Sequence, residues 1–449
     1  MTNVWIERFT GPTRDDVRRL SAFQPEPLLG LRRLHYSEAA ILLDTASRAL
    51  FVPTEQTVDL MFSWLAIASA HCKQTYPDAR TVRASFQSGT AHFQSYLPYC
   101  LTGLAGSGKT SLFEAFERIL SAKVMVNLGA GFHEYALRAT VRIKIHEKLS
   151  KTAFLKGLLD SIYPGLSESA IKDLLPELLL KMHRYGVGFA ISDELQHVSG
   201  SAAANTKATQ LMLQQSRFCV PNVFGLNYSM CHKLLGRPQE DRDRLFSKVI
   251  ILEPESIRTK DWSDTVDGYL KLIPEESAKL NLEEVANYLH PRTFGLKREL
   301  AWLLGIAFAA MHRQGDKLIG LKHIDEAYKS RSYSTPREDI DILRQQIAQG
   351  RCIKVDLWCP FQEAVKPVSA AQSSAKAALD HALVQAMIDS TINQPKKVGQ
   401  CQAKPSKPVP TPRAPRPARK SNVIPIKGTL VDQFEAGMAD IHDGLKPKR

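Results

Sequence analysis

At 449 residues the chain is too long for one compact core, so two or three domains are expected. Its 44% hydrophobic and 23% charged residues describe a soluble globular protein. No apolar run approaches the ~20 residues of a membrane span, so no membrane partner is expected. Met1–Arg8 lacks the basic-then-apolar pattern of a signal peptide, and a cytoplasmic location is the expectation. The seven cysteines are odd in number and scattered, and none forms paired zinc spacing, so they read as free thiols. The formal charge of +13 is uneven: eight basic residues and no acid fall between Pro395 and Lys420, leaving +5 elsewhere. A polyanionic partner is therefore suggested mainly by the tail.

Residues 1–90 read as a helical N-terminal extension. Glu38–Asp44 and Val58–Ala70 carry apolar residues at helical spacing, and Thr54 is placed to cap the second helix. This extension is either an adaptor or a helical layer packed on the α/β core.

Residues 91–255 read as that α/β core. A short buried strand is expected to end at Thr102. Gly103-Leu104-Ala105-Gly106-Ser107-Gly108-Lys109-Thr110 then matches G-x-x-x-x-G-K-[ST], the phosphate-binding loop of nucleoside triphosphatases. Glycines let backbone N–H groups turn around an anion, Lys109 is placed for the β- and γ-phosphates, and Thr110 for Mg²⁺. Gly103, Gly106, Ser107, Gly108, Lys109, Thr110 and Ser111 are thus the nucleotide-binding candidates. Ser111–Leu120 is an amphipathic helix whose N-terminus faces the phosphates.

Lys123–Leu128 and Ala139–Ile145 look like strands, the second alternating with a period of two. Helices are expected over Ala153–Ile162 and roughly Glu168–Tyr185. Gly188–Glu194 is an apolar strand ending in two acids. Asp193 can hold Mg²⁺ through its water shell, and Glu194 can polarise the water that attacks the γ-phosphate. The next strand, Val220–Asn227, ends in an asparagine. Asn227 either positions the attacking water or caps the helix beginning near Ser229. Within Arg237–Phe246, Arg242 and Arg244 either reach the γ-phosphate of a neighbouring subunit or pair on the surface with Asp241 and Asp243. A strand over Lys248–Leu252 comes next.

Residues 256–335 read as a helical lid, with helices over Trp262–Leu272, Leu282–Leu289 and Gly295–Leu304, and Ile324–Tyr328 as the last. Arg298 is the candidate lid arginine for the nucleotide, with Lys297 and Arg292 as neighbours. Order is doubtful beyond Pro336: residues 336–394 read as a helical connecting region. Residues 395–449 read as a largely disordered basic linker ending in a docking peptide, whose Leu430, Val431, Phe434, Met438 and Ile441 form an apolar stripe. That stripe either enters a partner groove or folds back on its own domain.

Taken together, these motifs resemble an AAA+ ATPase of the initiator-type branch, and more narrowly the TnsC/TniB/MuB group of transposition regulators. The likeness rests on Gly103–Thr110, Lys144–Leu159 with its Lys156-Gly157-Leu158-Leu159, Ser192–Gln196, Glu240–Phe246 and Gly295–Leu304, and it covers roughly residues 95–330. It implies a parallel-sheet P-loop core with a small lid, using ATP and Mg²⁺. It further implies a homo-oligomer, a ring or a filament with about six subunits per turn, that assembles on duplex DNA without sequence choice. Such an assembly couples target selection to recruitment of a transposase subunit or target-selection protein. The DNA-tracking positions it implies here are Lys148, Lys151 and Thr152. The N-terminal extension and basic tail exceed a minimal member of the group. Two other classes share the same parts: a signalling or defence NTPase that oligomerises on a protein cue, and a helicase-loader or origin-binding ATPase. The last normally carries a winged helix after the lid, and none is evident in 336–392.

Overall fold

In the N-terminal segment, helices form where capping residues meet apolar spacing. The computed structural model describes residues 3–88, 94–128, 134–144, 150–163, 173–193 and 202–361. Lys148, Glu194 and the elements expected within 362–449 lie outside them. Helices α1 (Val4–Thr10), α2 (Arg14–Ser21), α3 (Tyr36–Ala49), α4 (Glu55–Thr75) and α5 (Ala79–Ser88) come first. Thr54 caps α4 as expected, in a reciprocal box with Thr57. From there Val58, Met61, Trp64, Leu65, Ala68 and Cys72 recur every three or four residues and are buried.

The core then runs as β1 (Tyr99–Gly103), α6 (Lys109–Ile119), β2 (Met125–Val126), β3 (Tyr135–Ala136), β4 (Thr140–Lys144), α7 (Lys151–Ile162), α8 (Leu174–Arg184), β5 (Phe189–Asp193), α9 (Ala202–Gln215), β6 (Asn222–Asn227), α10 (Tyr228–Leu235), α11 (Gln239–Leu245) and β7 (Val249–Leu252). Five strands make one parallel sheet in the order β4-β5-β6-β1-β7. Every residue of β5 is buried, as a continuous apolar run in a parallel strand covered on both faces requires. The strand β6 lies between β1 and β5, so the carboxyl ends of β1, β5 and β6 converge at the point where the strand order reverses. This is the central parallel sheet flanked by helices that was expected from the sequence.

Two apolar clusters cover the sheet. Phe154, Leu158, Leu178, Met182 and Phe218 pack on one face. On the other, Trp64 of α4 sits among Phe113, Phe116 and Phe189, with ring centroids at 5.9, 5.3 and 5.7 Å. Of the two readings of the N-terminal extension, α1, α2 and α4 therefore take the packed one.

The lid comprises α12 (Lys260–Leu270), α13 (Pro274–Ser277), α14 (Leu282–Thr293), α15 (Lys297–Gln314), α16 (Leu321–Lys329) and α17 (Ser334–Gln349). Its core of Trp262, Leu289, Leu303, Phe308, Met311 and Ile324 also takes in Leu31, Ala39 and Leu43. Helix α3 thus belongs to the lid by packing, although it precedes the core in sequence.

Lys123–Leu128 is a strand only over Met125–Val126, which pairs antiparallel with Tyr135–Ala136 in a ribbon apart from the main sheet. The helical packing also runs past the expected lid boundary at 335, since Pro336, Ile340 and Leu343 of α17 are buried and Leu343 packs with Leu104 and Leu296. Beyond α17 the Trp358 carbonyl oxygen meets His232 Nε2 at 2.8 Å.

Because Trp64 fills the centre of an aromatic cluster, Trp64→Ala is expected to cost about 3–5 kcal/mol of unfolding free energy. Denaturant titration checks this, and a loss below about 1 kcal/mol contradicts the packing role of the N-terminal helices.

Candidate nucleotide site

The loop between β1 and α6 is shaped by its glycines. Gly106 and Gly108 have φ of +85° and +97°, conformations that L side chains rarely adopt. A Cβ on Gly106 would lie 2.5 Å from Glu299 Oε2. Lys109 opens α6 and is 9% exposed. Its ammonium donates to the carbonyl oxygens of Gly103 and Leu104 at 3.0 and 2.9 Å, with Ser107 Oγ at 3.5 Å. Among the described residues no carboxylate forms an ion pair with it. Burial, then the nearby Arg298, pulls its pKa down to about 8. A buried cation at a helix N-terminus, hydrogen-bonded to backbone carbonyls, fits an anionic ligand.

One acid lies across the loop. The Thr110 hydroxyl meets Asp193 Oδ1 at 3.3 Å, and Asp193 is 2% exposed at the end of β5. A hydroxyl and a carboxylate at adjoining strand and helix ends are hard oxygen donors of the kind Mg²⁺ takes. Asn227, paired in register with Gly103, stands at the N-cap of α10, but its side chain makes no capping bond there. It lines the cavity beside Lys109, Thr110 and Ser111.

The lid closes the opposite wall. The Arg298 amide donates to the Gly106 carbonyl at 3.3 Å, and the Glu255 amide donates to that of Gly295 at 3.1 Å. Gly295, at φ +69°, has no room for a side chain: a Cβ would stand 2.1 Å from the Glu255 carbonyl oxygen. Lys297 is committed to Glu255 at 3.1 Å and Arg292 to Asp325 at 2.9 Å. Arg298 alone of the three forms no ion pair among the described residues, and it lines the cavity. Glu299 beside it is pushed up to about 7 by burial.

Other candidates lie elsewhere. Arg242 and Arg244 are exposed on α11 and do not line the cavity within one chain. Asp241 pairs instead with Arg237 at 3.4 Å. Lys151 and Thr152 are exposed in the first turn of α7, which Ser150 caps.

The cavity holds about 530 Å³, and much of its wall was not anticipated. Asp44, Ser47, Arg48, Phe51 and Val52 reach it from the N-terminal segment, and Tyr269, Ala301 and Trp302 from the lid. The Phe51 and Val52 contribution had no motif to mark it. Trp302 was legible in principle, four residues after Arg298 and hence on the same helix face.

No family model matches the sequence, and no curated protein matches it. Solved structures with partial similarity include Cdc6p from Pyrobaculum aerophilum, at 14% identity and a TM-score of 0.37, with 55% of this chain and 65% of that one covered. The Aeropyrum pernix Orc1 protein in complex with DNA gives 14% and 0.36, covering 61% and 67%. Domain III of the Thermotoga maritima replication initiation protein DnaA gives 17% and 0.36, covering 62% and 92%. The chain spans 65% of the length of the Pyrobaculum protein.

Lys109 has a pH consequence. With its pKa lowered from 10.5 to about 8, the folded chain binds fewer protons than the unfolded one between those values. Its charge therefore opposes folding fully below pH 8, and this penalty fades as pH climbs toward 10.5. Anion binding has the opposite dependence, because it needs the protonated ammonium. ATP affinity is expected to fall up to roughly tenfold per pH unit above 8. Calorimetry from pH 7.5 to 9.5 measures this, and a flat profile contradicts the placement of Lys109 against phosphate.

Proposed function

We propose that the protein is an ATP-dependent AAA+ switch that oligomerises on duplex DNA and couples target-site choice to transposase recruitment. The observation that carries the nucleotide part is the buried ammonium of Lys109, which lacks a carboxylate partner among the described residues and lies under a lid that offers Arg298 to the same cavity. ATP would sit with its phosphates on Gly106–Ser111, and Mg²⁺ would be held by Thr110 and, through water, by Asp193. The metal would neutralise charge on the phosphates. Glu194 comes directly after Asp193 and is assigned the water-polarising role, with Asn227 orienting that water. Arg242 and Arg244, exposed and away from their own cavity, suit a neighbour's γ-phosphate. That arrangement would make hydrolysis depend on assembly.

The DNA part is supported by net basicity and by Lys151 and Thr152, which are exposed at the start of α7. With Lys148 they would contact phosphates, giving affinity without sequence choice and a steep salt dependence. The transposition part rests on the sequence resemblance, chiefly Lys156–Leu159 and Asp193–Gln196.

Two experiments test the proposal. Anisotropy titrations of duplex DNA are expected to give at least roughly tenfold tighter binding with a non-hydrolysable ATP analogue than with ADP. Equal affinities, with hydrolysis indifferent to DNA, would reject the DNA switch in favour of a signalling NTPase. Lys109→Ala is expected to abolish ATP binding. Glu194→Gln should retain binding and lose roughly a hundredfold or more in turnover. Normal turnover in the glutamine variant would remove Glu194 from the catalytic role.

A further inference from the structure

Far from the nucleotide cavity, the N-terminal segment and α8 meet in a stack of rings. Trp5 of α1 lies against Tyr76, just after α4, with centroids 6.1 Å apart and planes 18° from parallel. Tyr76 lies in turn against His183 of α8, at 5.3 Å and 21°. His71 of α4 stands edge-on to Tyr76 and Tyr96, and Phe86 of α5 stands edge-on to His183. Hydrogen bonds join the same elements. The Tyr76 hydroxyl donates to the His183 carbonyl oxygen at 2.9 Å, and Ser85 Oγ of α5 is 3.2 Å from His183 Nε2. His71 Nδ1 is 3.1 Å from the Tyr96 hydroxyl.

Both imidazoles are buried, His71 at 4% exposure and His183 at 7%. Their surroundings are poorly suited to added positive charge. His71 Nε2 is buried without a hydrogen-bond partner among the described residues. An imidazolium carries N–H on both nitrogens, so a protonated His71 would bury a donor with no acceptor. Arg8 of α1 already sets a cation against His71, and it forms no ion pair among the described residues. The titratable groups facing the pair are Arg8, then Cys72 and Tyr76 at the end of α4, and Tyr96 before β1. Tyr135 of β3 and Cys219 act on Tyr76 from beyond it, and no carboxylate is among these groups. Burial, joined for His71 by the charges of His183 and Arg8, pulls both histidines from 6.5 down to about 4.

We propose that this cluster is a proton-sensitive latch: the seam between α1, the end of α4, α5 and α8 stays shut while His71 and His183 are neutral, and opens locally when they take up protons. In the open seam both rings meet water and titrate near 6.5. Above that pH both forms are neutral, and the full closing contribution is present. Between 6.5 and 4 the open form binds more protons than the closed one, so the contribution is lost as pH falls. Once both rings are charged, they and Arg8 repel one another without a carboxylate between them. Opening is local because the rest of α4 remains anchored by Trp64 among Phe113, Phe116 and Phe189. It bares Trp5, Tyr76 and Phe86, an aromatic face that the closed seam holds away from water.

Hydrogen exchange on the full chain at pH 7.5 and pH 5.0, expressed as protection factors, tests the latch. In the wild-type protein the amides of α5 are expected to lose about thirtyfold protection per titrating histidine, while those of α7 keep theirs. The paired substitutions His71→Gln and His183→Phe, which keep a hydrogen-bonding group and a stacking ring but take up no proton, should hold the change in α5 below about threefold. Equal losses in α5 and α7 would mean that acid unfolds the whole chain, and unchanged protection of α5 would mean that no latch exists. A wild-type response in the paired variant would assign the sensitivity to other groups. Each of these three results overturns the proposal, and the first two are read from the wild-type protein alone.

Discussion

The structure depends on a buried positive charge that forms no ion pair among the described residues. Lys109 is withdrawn from water at the start of α6, where its ammonium donates to carbonyl oxygens of its own loop. Burial of that kind opposes the charged form, and the lowered pKa of about 8 is the trace of the conflict. On the proposed reading a phosphate would resolve it, because a polyanion would supply the missing charge and satisfy the surrounding N–H groups together. The site would then differ between its empty and loaded states, which is the physical requirement for a switch.

How that difference reaches the rest of the chain is set by the packing. The lid touches the loop through backbone, with the Arg298 amide on the Gly106 carbonyl, and through glycines that permit close approach at Gly106 and Gly295. The N-terminal segment is divided between two bodies: α1, α2 and α4 pack on the sheet, while α3 packs in the lid. The chain between α3 and α4 therefore crosses from lid to core beside the nucleotide cavity, where Phe51 and Val52 form part of the wall. A ligand there bears on both bodies at once.

Much of this was legible in the sequence, for reasons particular to each element. The phosphate loop is read from residues whose chemistry leaves few substitutes. The strand β5 is read from an unbroken apolar run, because a central parallel strand has no solvent face. The helix α4 is read from its cap and its spacing. What was missed depended on tertiary contacts. The strand β2 looks in sequence like any short strand, and nothing local names β3 as its antiparallel partner. Helix α17 carries few apolar residues, and its burial against Leu104 and Leu296 is visible only once the lid is folded. Residues 44–52 carry no motif because they contribute surface rather than a reactive group. Arg298 was singled out in sequence by its place at a helix start, and the ion pairs of Lys297 with Glu255 and of Arg292 with Asp325 set those two neighbours apart from it.

The central claim is that triphosphate held between loop and lid decides whether copies stay assembled on a double helix. Electron microscopy of the full chain with duplex DNA, under a non-hydrolysable ATP analogue and under ADP, tests it most directly. The account predicts ordered rings or filaments on DNA with the analogue and their loss with ADP. Isolated molecules in both states, or the same assemblies in both, would contradict it.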